Sequence, residues 1–139
     1  MTALPDDGRE QGSELADIDR TRVTVTAGPL AGAVLSRIVG ISASRADLPV
    51  DRLDEALILA DAIAAHAPGQ VPDGRIELTC RTTAGCLEMR LGPLRPGGGA
   101  RLLDESSMPG AANIILRFAS DTRVVERGDS ELLVIRVTT

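Results

Sequence analysis

Residues 50–67 read VDRLDEALILADAIAAHA, and their spacing fixes the class of fold. At 100° per residue Leu53, Ala56, Leu57, Ala60, Ile63, Ala64 and Ala67 fall on one broad face, with Leu59 at its edge, as expected of a helix laid on a sheet. The opposite face carries Asp51, Asp54, Glu55, Asp61 and His66, and between these runs a second apolar stripe of Ile58, Ala62 and Ala65. A second stripe calls for a second partner, either another protein or Leu102 and Leu103 from later in the same chain.

Around this helix the chain alternates between the two periods. TRVTVT (residues 21–26) alternates as a strand. Gly28-Pro29 opens a helix over Pro29 to Ser44 that places Leu30, Val34, Ile38 and Ile41 on one face and carries an unfavourable Gly40. Leu48-Pro49 breaks it before the central helix. Arg75 to Arg81 and Cys86 to Leu91 form a hairpin. If Ile76, Leu78 and Cys80 share the core face with Leu87, Met89 and Leu91, opposed residue numbers sum to an odd value and the turn has two or four residues. Cys80 then points inward and Cys86 outward, which forbids a disulfide between them.

Residues 92–110 are rich in glycine and are expected to be irregular. Ala111 to Ala119 follows as a short helix burying Ile114, Ile115 and Phe118. Strands over Thr122 to Arg127 and Leu132 to Val137 close the chain around a Gly128-Asp129-Ser130 turn. The order β-α-α-β-β-α-β-β predicts an α/β (α+β) two-layer sandwich, a mixed, mostly antiparallel sheet covered on one face by about three helices. The expected division is an acidic arm over residues 1–20, with a short helix possible near Ser13 to Asp19, and one domain over residues 21–139.

All fifteen basic residues are arginine and the formal charge is -5. Residues 1–20 carry six acids against Arg9 and Arg20, leaving a near-neutral body in which no basic stripe shows. With Phe118 as the only aromatic residue, the composition argues against nucleic-acid binding. No apolar run is long enough for a bilayer and MTALPDDGREQ lacks the features of a secretory signal, so the expected location is cytoplasmic, with no membrane partner. Two oppositely directed cysteines and a lone His66 make no metal site.

Gly110 to Val125, GAANIILRFASDTRVV, resembles the second glycine box, helix and strand of the histidine-kinase-like ATPase (Bergerat, or GHKL) fold, in its anti-sigma-factor serine kinase branch. Gly110, Arg117, Asp121 and Val125 fall on matching positions. The central helix, and RIELTC followed by LEMRL, resemble that family's long helix and hairpin. The resemblance implies a Glu and an Asn at i and i+4 on the long helix, for proton abstraction and for Mg²⁺. Here one register puts Ala62 and His66 there and the other Asp61 and Ala65. The single asparagine, Asn113, lies elsewhere, and no Asp stands between Asp73 and Asp104 to accept an adenine amino group.

The resemblance therefore implies a degenerate pocket at Asp61, Ala62, Ala65, His66, Gly97, Gly98, Gly99 and Gly110, with no catalytic residues and no cofactor. The Gly97-Gly98-Gly99 run reads either as a phosphate cradle or as plain loop flexibility. Asp61 and His66 read either as an acid–base pair or as a solvated acid and a helix C-terminal histidine. The preferred function is a non-catalytic regulatory module, a pseudo-ATPase binding a protein partner such as a sigma factor or an anti-sigma antagonist through Ile58, Ala62 and Ala65. The alternatives are an active ATP- and Mg²⁺-dependent serine kinase with an atypical site, and an unrelated α/β protein. A homodimer is implied by the resemblance alone.

Overall fold

The computed structural model describes residues 19–105 and 114–139. Its sheet is β1 (Asp19–Thr26), β2 (Arg75–Thr83), β3 (Cys86–Leu94), β4 (Asp121–Arg127) and β5 (Ser130–Thr138), in the order β1-β2-β3-β5-β4. Every neighbouring pair is antiparallel. The helices are α1 (Ala31–Arg45), α2 (Val50–His66), α3 (Gly98–Glu105) and α4 (Ile114–Phe118), with a 3-10 turn over Ala67–Gln70. The fold is the expected α+β two-layer sandwich, and among the described residues no helix is long and apolar enough to cross a membrane.

The hairpin follows the parity read from its side chains. Thr83 pairs with Cys86 across the two-residue turn Ala84-Gly85, and Gly85 takes the positive φ of 79° that the turn requires. Ile76, Leu78, Cys80, Leu87, Met89 and Leu91 are all buried against the helices. Cys86 faces the other side, half-buried. β1 begins at Asp19, two residues before the Thr21 expected for the first strand, and residues 1–18, with the helix expected near Ser13, lie outside the described part.

Helix α1 presents a different face from the one its strongest apolar period suggests. Leu35, Val39 and Ala43 are buried on the sheet, whereas Leu30, Val34 and Ile41 are exposed. The reason lies in the small residues between them. Gly32, Ser36 and Gly40 recur every four residues and lie against α2, where a Cβ on Gly32 would sit 3.6 Å from Ala64 and one on Gly40 would sit 3.5 Å from Leu57. Ser36 Oγ donates to Asp61 Oδ1 at 3.1 Å between these contacts. A ridge of residues no larger than serine lets the two helices approach closely, and that approach turns Leu30, Val34 and Ile41 outward. The helix begins at Ala31, two residues after Pro29, and ends with Asp47 at φ 57°. Leu48 N–H then donates to the Ala43 carbonyl at 3.2 Å, a left-handed cap built without glycine.

Leu59, expected at the edge of the α2 core face, is fully buried at its centre, and Leu53, Leu57 and Ala64 are only half-buried. The expected irregular stretch contains a helix, α3, with Leu102 fully buried. In α4 only Ile115 is fully buried, with Ile114 and Phe118 half-buried and the Arg117 guanidinium 5.4 Å from the Phe118 ring centre. Arg52, in the first turn of α2, ties this layer to the end of the sheet. Its Nε donates to the Thr138 carbonyl at 2.9 Å and its Nη2 to Ser120 Oγ at 2.6 Å, and it also pairs with Glu55.

Candidate functional site

The glycine run is where the nucleotide reading meets its main obstacle. Gly97, at φ 79°, turns the chain into α3, so the backbone N–H groups of Gly97 and Gly99 point the same way at a helix start. This is a backbone nest suited to an anion. Glu131, the second residue of β5, supplies the anion itself. Its Oε2 accepts from Gly97 N–H at 2.8 Å and its Oε1 from Gly99 N–H at 3.1 Å. The run is neither a vacant phosphate cradle nor a slack loop. A Cβ on Gly99 would meet Val124 Cγ2 at 2.9 Å, and one on Gly98 would meet Leu94 Cβ at 3.2 Å, so glycine here serves close packing.

The expected pocket positions on α2 do not converge either. Asp61 is held by Ser36 of α1, on the flank of α2 that faces that helix. Ala62 is buried, whereas Ile58 is 37% exposed and Ala65 is exposed. The predicted partner stripe is therefore interrupted by a core residue. Helices α3 and α4 both pack against α2. His66 closes α2 half-buried, five residues and about 140° around the helix from Asp61. Gly110, the last pocket position, lies outside the described residues.

The feature missed in the sequence lies on the opposite side of the sheet. Strand alternation gathers the arginines there: Arg20 and Arg22 from β1, Arg75 and Arg81 from β2, and Arg90 from β3. Arg123 and Arg127 of β4 and Arg136 of β5 complete the set. Against these eight stand three carboxylates, Glu77, Glu88 and Asp121, a net of +5 on one face of a chain whose formal total is -5. The expectation of a body without a basic stripe is thus corrected. The arginines are far apart in sequence, and only the period of two, repeated over five strands, brings them together.

A groove of about 400 Å³ crosses this face, lined by Arg20, Arg22, Arg81, Arg90 and Arg127 with Glu77 as its one carboxylate. Glu77 pairs with Arg22 at 3.4 Å, and Glu88 is shared by Arg90 at 2.8 Å and Arg81 at 3.4 Å. Arg20, Arg123 and Arg127 have no carboxylate partner among the described residues. Arg20 lies directly opposite Arg81 across β1 and β2, a like-charge pairing that is unfavourable by itself. The buried Nε of Arg81 has no hydrogen-bond partner. The outward-facing Val134 is only 3% exposed in this surface, although among the described residues no helix lies above it.

No protein-family model matches the chain, and no curated protein matches it.

Proposed function

We propose that this protein is a non-catalytic regulatory module that binds another protein, on a scaffold resembling the histidine-kinase-like ATPases in which the nucleotide site has been closed. The observation that carries the reading is Glu131 in the glycine nest. A carboxylate already accepting from Gly97 and Gly99 repels an incoming phosphate and takes the two N–H groups that it would use. The sequence around the central helix supports the same reading, since in one register Ala62, which has no base, stands at the general-base position and His66, a nitrogen ligand ill suited to Mg²⁺, at the magnesium position. A sigma factor or an anti-sigma antagonist in the cytoplasm is the partner that the resemblance implies.

Calorimetric titration of the full chain with ATP and ADP, with and without Mg²⁺, tests this directly. The expected result is no heat up to millimolar nucleotide. Magnesium-dependent binding in the micromolar range would overturn the reading and favour the serine kinase.

A further inference from the structure

The arginine groove on the face of the sheet opposite the helices has a charge pattern that asks for an anionic occupant. Arg20 faces Arg81 without a carboxylate between them, and Arg127 at the far end of the groove is unpaired among the described residues. The chain carries a matching segment next to it. Residues 1–18 hold Asp6, Asp7, Glu10, Glu14 and Asp17 against Arg9 alone, and they join the domain at Asp19, beside the arginine that opens the groove.

We propose that residues 1–18 lie across the arginine groove of their own sheet as an intramolecular acidic cover. The dimensions agree. The groove runs diagonally from Arg20 on β1 to Arg127 on β4, crossing four inter-strand gaps of about 4.8 Å and six residues along the strand at about 3.3 Å each, or roughly 28 Å. An extended chain at about 3.3 Å per residue covers roughly 33 Å from Asp17 to Asp7, so the acids between them reach from Arg20 to Arg127. The connection gives the segment an effective concentration in the millimolar range, which compensates for the small contribution of each exposed ion pair. Such a cover is held by several weak pairs at once and is released by salt or by a more acidic competitor. The docking stands on charge and geometry alone. Its consequence, that a protein partner reaches this face only by displacing the cover, rests on the reading of the chain as a binding module.

The test is a nitroxide label at position 10 (Glu10→Cys, with Cys86→Ser and the buried Cys80 kept) in the otherwise intact chain, read by paramagnetic broadening of backbone amides. At low salt the amides of Arg81, Arg90 and Arg127 are expected to lose more than half their intensity, while that of Ile58 on the helical side keeps its own. Adding Asp6→Asn, Asp7→Asn, Glu14→Gln and Asp17→Asn to the labelled chain is expected to restore the lost intensity. Uniform intensities in the labelled chain would overturn the proposal, as would broadening that survives neutralisation of the acids. Broadening that appears only in unlabelled protein mixed with labelled protein would assign the groove to the segment of a second copy instead. Uniform intensities together with tight binding of a short DNA duplex would reassign the face to a nucleic acid. None of these outcomes depends on whether nucleotide binds, so the proposal and the closed nucleotide site fail separately.

Discussion

The two carboxylate oxygens of Glu131 divide between the backbone N–H groups of Gly97 and Gly99, at 2.8 and 3.1 Å. A side chain of β5 thus caps the start of α3. Removing the carboxylate leaves two amide donors without this acceptor, so Glu131→Ala is expected to destabilise the fold by about 1–3 kcal/mol in urea denaturation. Glu131→Gln keeps one acceptor and is expected to cost less. In the alanine variant the nest is open, and inorganic phosphate should raise its melting temperature while leaving that of the parent unchanged.

The glycines divide into two kinds. Gly32 and Gly40 are helical and have ordinary van der Waals room for a Cβ, at 3.6 and 3.5 Å. Alanine at either should stabilise by about 0.5–1 kcal/mol through helix propensity. At Gly99 the same change brings a Cβ to 2.9 Å from Val124, and at Gly92 to 2.7 Å from the Glu131 carbonyl oxygen. Both alanine variants should destabilise, Gly92→Ala the more, because the nearest backbone atom cannot rotate away. Thermal melts of the four variants separate the two groups.

The interrupted stripe on α2 makes a sharp contrast between neighbours. Ala62→Asp places an unpaired charge in the core and is expected to cost more than about 2 kcal/mol or to prevent folding. Ile58→Asp, at a position 37% exposed, should cost less than about 1 kcal/mol. Equal effects at the two positions would mean that the layer formed by α3 and α4 does not sit as described.

Burial pushes the Cys80 thiol from 9.0 up to about 11, against a smaller opposing effect of its hydrogen bond with Ser42. The folded chain therefore keeps a proton that the unfolded chain loses. Its contribution to stability is fully present below pH 9 and is lost as pH rises towards 11. The expected loss is about 2–3 kcal/mol over that interval, and it should be absent in Cys80→Val. Urea unfolding at a series of pH values measures it, and native Cys86 should react with a thiol reagent long before Cys80 does.

Arg52 holds the first turn of α2 to the end of β5 through the Thr138 carbonyl and Ser120 Oγ. Arg52→Ala leaves these acceptors to water at the surface and should cost about 1–2 kcal/mol, with faster amide exchange at Thr138, whose N–H donates to the same Ser120 Oγ at 3.0 Å.

By itself the sequence determined the element order apart from α3, the inward and outward faces of the β2–β3 hairpin, the opposite directions of Cys80 and Cys86, and the absence of an Asn on the central helix. These are properties of local period and residue type, which tertiary contacts do not alter. Tertiary structure decided which of two apolar faces of α1 is core, because the choice depends on how closely Gly32, Ser36 and Gly40 let α2 approach. It also decided that the glycine run is occupied, since Glu131 lies more than thirty residues away in the chain. Above all it decided the charge of the open face. Arginines scattered over five strands look neutralised when counted along the chain, and only the antiparallel register places them on one surface while most of the carboxylates stay on the other side.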